Sequence, residues 1–335
     1  MKYRKVGKSG LRISEISLGS WLTYGGSVEE QKAMECLKTG LENGINFIDS
    51  AEIYAHGGAE KVIGKFLADK IYDRNDYVIS SKVFWPFSDT DVNRWGNSRK
   101  NIRNAIDGTL KRLQMDYIDI YFMHRYDYTT PLKETLMILD DLIREGKINY
   151  WGTSAWTAAQ IERANAIAKE LGLHKPIVEQ PMYNMFYRHI ELEIMSVAKT
   201  HGMGFTVFSP LGQGLLTGKY NDGTIPKGSR GETMGSLKEN LTKENLVKLN
   251  KLTEIASSHD LKLSQLALAW ILKRPEISCT IVGASKPAQI LENIKASEVA
   301  IDKNTWDEVE LILDTAPKWP PTYDPNIYFK DKMRY

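Results

Sequence analysis

Eight short apolar runs punctuate the chain, and longer amphipathic segments separate them. The runs are Ile16–Gly19, Ile45–Asp49, Tyr77–Lys82, Tyr117–His124, Asn149–Ser154, Ile177–Gln180, Gly204–Ser209 and Ser278–Ser285. They are rich in β-branched and aromatic residues and mostly apolar on both faces, as strands of a buried parallel sheet are. Between them, Val28–Glu42 opens after Ser27, a residue type suited to an N-cap. Ser98–Leu113 sets Ile102, Ala105, Ile106, Leu110 and Leu113 at helical spacing. Pro131–Glu145 starts on proline and stops before Gly146. Ala158–Leu171, Ile190–His201, Leu241–Ser258, Leu263–Lys273 and Pro287–Ala296 read as further helices. Strand then helix, repeated, predicts an α/β chain folded as a single (β/α)8 TIM barrel over residues 1–335. A doubly wound open sheet is the competing architecture. It carries a Gly-rich turn after its first strand, and Ser20-Trp21-Leu22-Thr23-Tyr24 is no such turn.

Three segments fall outside that rhythm. Two alternating runs around Gly7-Lys8-Ser9-Gly10 predict an N-terminal β-hairpin. A long polar, Gly-rich loop covers Tyr220–Gly235, after the seventh strand. A tail rich in proline and aromatics, Lys318–Tyr335, is expected to lie over the barrel mouth. Forty-four Lys and Arg against 42 Asp and Glu leave a net charge of +2, too small for a nucleic-acid or membrane-surface protein. The first ten residues lack the apolar run of a signal peptide, and no 18-residue apolar stretch occurs. Cys36 and Cys279 are too few for a disulfide framework, and the six histidines are scattered, those other than His124 having ordinary surface or loop roles, so a reduced, cytoplasmic, metal-free protein is expected.

In such a barrel the chemistry comes from the C-terminal ends of the strands. Here those ends carry Asp49, with Tyr54 five residues on, then Lys82, His124, Ser154, Gln180 and Phe208-Ser209. Singly, each has an ordinary explanation as a cap, a packing residue or a solvated charge. Together on one rim they are costly to bury unless they pair. A tyrosine hydroxyl is a poor acid at neutral pH. A lysine ammonium beside it favours the phenolate: at ~4 Å and an effective dielectric of ~20 the attraction is ~4 kcal/mol. A carboxylate pairs the ammonium, and a histidine orients a carbonyl. That set suits proton delivery to an oxygen becoming an alkoxide, the oxygen half of carbonyl reduction. The carbon half needs a hydride, which no side chain supplies, so a nicotinamide cofactor is implied.

The chain resembles the aldo–keto reductases, and within them the branch of voltage-gated potassium-channel β subunits and bacterial L-glyceraldehyde-3-phosphate reductases. The resemblance runs from about Tyr3 to about Ala316, on LGSWLTYGG (18–26), NGINFIDSAEIY (43–54), SSKVFW (80–85), SRKNI (98–102), LKRLQMDYIDIYFMHR (110–125), YWGTSAW (150–156), EQPMYN (179–184), FSPLGQGLLTGKY (208–220) and IVGASKPAQILENI (281–294). It implies a catalytic tetrad of Asp49, Tyr54, Lys82 and His124, with Tyr54 the general acid. It implies NADP(H) as cofactor in preference to NAD(H). Ser154 and Gln180 would hold the nicotinamide carboxamide, Phe208 would cover one ring face, and Ser20, Trp21 and Asp49 would also contact the cofactor. Ser209, Pro210, Leu211, Gly212, Gln213, Gly214, Lys219 and Arg230 would wrap the pyrophosphate. Gly283, Ser285, Lys286 and Gln289 would meet the 2′-phosphate, and Glu292 and Asn293 the adenine. Trp21, Tyr54, Trp85 and His124 would form the substrate pocket, with Tyr24 and Arg125 as lesser candidates.

Departures from the family pattern carry information. Gln289 stands where many members have arginine, and Ala155 where channel subunits have arginine. The channel subunits replace the tetrad histidine by asparagine, whereas His124 is present here. The favoured reading is a carbonyl reductase acting on a small carbonyl substrate, its assembly open between a monomer and a homo-oligomer. A cofactor-holding, redox-sensing subunit of the channel-β type is the alternative. A Schiff-base aldolase using Lys82 is a third, and an acidic neighbour argues against it by keeping the amine protonated.

Overall fold

Pairing among the apolar runs closes on itself. The structure is a computed structural model, and it describes residues 1–87, 90–232, 235–314 and 317. A hairpin of β1 (Tyr3–Lys5) and β2 (Arg12–Ser14) comes first, antiparallel with Tyr3 opposite Ser14. Eight parallel strands then form a closed barrel: β3 (Ile16–Gly19), β4 (Phe47–Asp49), β5 (Val78–Val83), β6 (Ile118–Met123), β7 (Ile148–Ser154), β8 (Val178–Gln180), β9 (Gly204–Val207) and β10 (Ile277–Val282), with β10 pairing back onto β3. The TIM barrel expected from the alternation is therefore the fold.

Helices α1 (Glu30–Glu42), α2 (Gly58–Ala68), α3 (Arg99–Leu113), α4 (Leu132–Arg144), α5 (Ala158–Leu171), α6 (Ile194–His201), α7 (Gly235–Asn240), α8 (Lys243–Ser258), α9 (Leu263–Leu272), α10 (Pro287–Asn293) and α11 (Lys303–Leu313) surround the strands. Caps fix several starts: the side chains of Ser98, Thr157, Thr242 and Asp302 each accept a backbone N–H three positions on. Helix α1 begins later than Val28. The backbone is still turning through Thr23–Ser27, where Val28 N–H donates to Thr23 O at 3.1 Å, so Glu29 rather than Ser27 occupies the N-cap. Helices α2, α7 and α11 were not expected from the apolar periodicity.

Two apolar layers result. A small cluster fills the barrel bore: Phe47, Val78, Ile120, Phe122, Val178, Cys279 and Ile281, with Val6 and Ile13 of the hairpin against it. The hairpin thus plugs the N-terminal end. Arg4 locks it by donating to the carbonyls of Leu272, Arg274 and Ile277 at 2.6–2.9 Å and pairing with Glu15. A larger layer lies between strands and helices and includes Cys36, Tyr121, Trp151 and Trp270. With one end plugged, the open end is the C-terminal rim of the strands. The long loop after β9 holds a short turn at Arg230–Glu232 and leads into α7. The tail from Lys318 onward, proposed to cover the mouth, lies outside the described residues. No helix among them is long and apolar enough to cross a membrane.

Candidate active site

Register brings the strand-end residues together. Asp49 pairs with Ser80 across β4 and β5, Lys82 with Phe122 across β5 and β6, and Ser154 with Gln180 across β7 and β8. Side chains two apart on a strand share a face, so Ser80 and Lys82 both point at Asp49. Lys82 Nζ lies 2.6 Å from Asp49 Oδ2 and donates to Ser50 O at 2.7 Å. Ser80 Oγ donates to Asp49 Oδ1 at 2.7 Å. From the far side of the bore, Gln180 Nε2 donates to the same oxygen at 2.9 Å. A fully buried ammonium and a buried carboxylate are therefore paired and hydrogen-bonded on both sides, the condition under which burial of charge is tolerable.

Tyr54 follows β4 in a turn whose next three residues, Ala55, His56 and Gly57, all have positive φ of 50°, 49° and 84°. The turn sets the Tyr54 ring 5.0 Å from Lys82 Nζ and edge-on to His124, with ring centres 5.8 Å apart. Trp85 is edge-on to His124 from another side at 6.4 Å, and Arg125 stacks over Trp85. All four tetrad candidates thus converge, and Trp85 joins them as a wall. Trp21 follows β3 on the same rim and is 40% exposed.

The electrostatics correct one sequence argument. Burial pushes the Tyr54 phenol above its ordinary value, and the charge of Lys82 only partly pulls it back, while Asp49 adds to the rise. The ammonium alone favours the phenolate, but desolvation, a tertiary property, outweighs it. Tyr54 is therefore a protonated phenol at neutral pH, held beside the charge that would receive its conjugate base. His124 is pressed well below the usual histidine range by burial and by Arg125 and Lys82, so it is neutral. Its Nδ1 is buried without a hydrogen-bond partner among the described residues.

The remaining rim residues bear on a dinucleotide. Ser154 and Gln180 are buried on the floor, and Ser154 Oγ donates to Gln180 O at 2.9 Å. Ser20 Oγ donates to Ser50 Oγ. Half-buried Phe208 and Ser209 begin the loop after β9, and Pro210 and Leu211 continue it. Ser209, Gly212, Gln213 and Gly214 there have φ of 51°, 55°, 60° and 111°. Gly212 and Gly214, lacking a Cβ, let this backbone approach a phosphate closely. Lys219 is exposed and lies over the Tyr220 ring. A Cβ on exposed Gly283 would stand 3.7 Å from Arg230 Nη2, so this guanidinium reaches across the loop to the start of α10. Burial weighs against the charge of Arg230, which an anion would relieve. Lys286 stands exposed at the head of α10. This donor set fits a phosphorylated dinucleotide. At the far end the fit is partial. Gln289 Oε1 is taken up by Ser285 N–H and Oγ–H, Glu292 is bound to Lys262 and Ser264, and Asn293 is buried.

Sequence reasoning missed Ser80 and Ser50. Ser80 was detectable, two residues before Lys82 on the same strand face. The carbonyl of Ser50 depends on the path of the turn. His189, expected in a loop or at the surface, is buried, and burial lowers it to about 3.

The family model described as "Aldo/keto reductase family" matches residues 15–314. The chain is 42% identical over 329 residues to a protein of Oryza sativa described as a probable voltage-gated potassium channel subunit beta, covering 96% of this chain and 100% of that one. It is 41% identical over 331 residues to an Arabidopsis thaliana protein of the same description, with 96% and 100% coverage. A closed barrel with a lysine–aspartate pair, a tyrosine and a histidine at its open end, matched along this length, belongs to an oxidoreductase of the aldo/keto reductase family.

Proposed function

We propose that the chain reduces the carbonyl of small aldehydes or ketones to an alcohol with NADP(H), Tyr54 giving the proton. The observation that carries this is the buried Lys82–Asp49 pair set 5.0 Å from the Tyr54 ring, with neutral His124 against the same ring. The nicotinamide, when bound, supplies the hydride. The rest falls to side chains. His124, carrying one N–H and no charge, holds the carbonyl oxygen in place. Tyr54 passes its proton to that oxygen as charge develops on it, and the phenolate left behind faces the Lys82 ammonium. Asp49, fixed by Ser80 and Gln180, keeps the ammonium in position. Trp85 narrows the approach and excludes water. Lys286 favours the extra phosphate of NADP(H) over NAD(H). The test is a steady-state assay with a panel of aldehydes and both nucleotides. Turnover with NADPH at least 10-fold better in kcat/KM than with NADH is expected, a preference of about 1.4 kcal/mol. Absence of turnover with every carbonyl would refute the proposal.

The descriptions of the two plant relatives favour a second reading, a nucleotide-holding subunit that reports redox state to a channel-type partner. Slow turnover, a nucleotide retained through purification and a homo-oligomeric native mass would support it.

A further inference from the structure

Behind the Tyr54 turn, on the side away from the bore, lies a buried charge cluster with one guanidinium and two carboxyl groups. Glu60 on α2 is fully paired: Arg112 Nε of α3 donates to Oε2 at 2.6 Å, and Ser81 Oγ of β5 and Thr109 Oγ1 of α3 donate to Oε1. Glu52 is not. It is 1% exposed, neither carboxyl oxygen takes a hydrogen bond among the described residues, and its nearest cation is Arg112 Nη2 at 4.0 Å. Its backbone N–H donates to Lys82 O at 3.2 Å. The Tyr121 hydroxyl of β6, also buried, has no hydrogen-bond partner among the described residues. Arg94 and Asp107 are the other charged groups whose fields reach Glu52 or Tyr121.

Arg112 is also what the turn rests on. A Cβ on Gly57 would stand 2.7 Å from Arg112 Cδ, so the arginine stem fills the space directly beneath the end of the turn. Ala55 and His56, with φ of 50° and 49°, occupy a left-handed conformation that is unfavourable for an L-residue and persists only when neighbours impose it. We propose that Glu52, sharing Arg112 with Glu60 beneath this strained turn, is a positioning residue that fixes where the Tyr54 phenol stands against Lys82. The inference rests on the reading of Tyr54 as proton donor.

The cluster has a definite charge dependence. Burial and the nearness of Glu60 push Glu52 up to about 8, against the pull of Arg112 and Arg94. As the neutral acid it leaves Arg112 to Glu60. Once ionised it competes for Arg112, and any shift of the arginine stem reaches Gly57 and thence Tyr54. A displacement of about 1 Å at a reacting group can cost up to ~100-fold in rate.

The experiment measures single-turnover reduction of an aldehyde by NADPH from pH 6 to 9.5 for the wild type, Glu52→Ala, Glu52→Gln and Tyr54→Phe. Glu52→Ala is expected to lose about 10-fold or more in rate with NADPH affinity within about 2-fold. Glu52→Gln, neutral and similar in shape, is expected to recover most of that loss at pH 7 and to lack the alkaline fall centred near pH 8 in the wild type. A Glu52→Gln profile that superimposes on the wild type, or a Gln variant as slow as Ala at pH 7, overturns the inference. Should Glu52→Ala fail to fold, the Gln profile decides alone. Tyr54→Phe separates the two levels. If it retains full turnover, the proton-donor reading has failed. If it is inactive while the Glu52 profile is unchanged, only the positioning role has failed.

Discussion

The ammonium of Lys82 stands 5.0 Å from the centre of the Tyr54 ring, close enough to hold a phenolate and too weak an influence to create one. A general acid must keep its proton until the substrate oxygen asks for it. Burial ensures the first condition and Lys82 eases the second, so the same desolvation that upsets the sequence argument suits the chemistry. Tyr54→Phe removes the proton and little else. It should lower kcat by about 100-fold or more, with NADPH affinity measured by fluorescence titration within about 2-fold of wild type. A fully active variant would move the proton donor elsewhere.

The two halves of the Lys82–Asp49 pair are not equally dispensable. Remove Lys82, as in Lys82→Met, and Asp49 still accepts from Ser80 and Gln180. Remove Asp49, as in Asp49→Ala, and the buried ammonium keeps only the Ser50 carbonyl as an acceptor among the described residues. Breaking a buried pair costs about 3–5 kcal/mol, so Asp49→Ala should sit at the upper end of that range and Lys82→Met below it. Urea denaturation of both variants, and of the double variant, checks the order. A double variant as unstable as the sum of the singles would show the pair to be uncoupled.

Much of this was legible in the sequence because it obeys a period. The eight strands differ from the apolar runs by at most three residues at their ends, and the convergence of Asp49, Lys82 and His124 was legible because the closing ends of parallel strands must share a rim. What escaped has no period. The direction of the Tyr54 shift depends on how much protein surrounds the ring. The Glu60–Arg112 contact joins α2 to α3 across 52 positions. Helix α2 itself, GAEKVIGKFLA, is broken up by Gly58 and Gly64, two residues that weaken a helix in isolation.

Selection between the two nicotinamide nucleotides should turn on Lys286. Gln289, where an arginine is common in the family, is occupied with Ser285, which leaves Lys286 as the exposed cation at the head of α10. Lys286→Ala should raise KM for NADPH by about 5–10-fold, roughly 1 kcal/mol, and leave KM for NADH within experimental error. A parallel rise for both nucleotides would place the lysine on the pyrophosphate instead.

Stability should carry a pH signature from Glu179. This carboxyl is fully buried between β7 and β8, where it accepts from Thr153 Oγ1 and Trp156 N, and burial lifts it to about 7. A folded-state value raised above the unfolded one means that its contribution is whole below about pH 4.5 and is lost as pH rises through about 7. Glu179→Gln does not ionise. Its melting temperature relative to wild type should therefore climb between pH 5 and about 7.5 and stay level above, a change on the order of a few kcal/mol. A difference independent of pH would show the carboxyl to be ionised throughout.

Gly64 is where helix propensity and packing disagree. Replacing a mid-helix glycine by alanine stabilises a solvent-facing helix by about 1 kcal/mol. Here a Cβ would stand 2.4 Å from Arg112 O and 2.7–2.8 Å from the Leu113 backbone, atoms of α3 that cannot turn aside as a side chain would. The glycine allows α2 to press directly onto the C-terminal turn of α3, and that contact also seats Arg112 under the Tyr54 turn. Overpacking typically costs about 1–3 kcal/mol, which outweighs the gain in propensity. Gly64→Ala should therefore lower the melting temperature and, because α2 would be pushed off Arg112, slow carbonyl reduction as well. A variant more stable than wild type would mean that the two helices can part without cost.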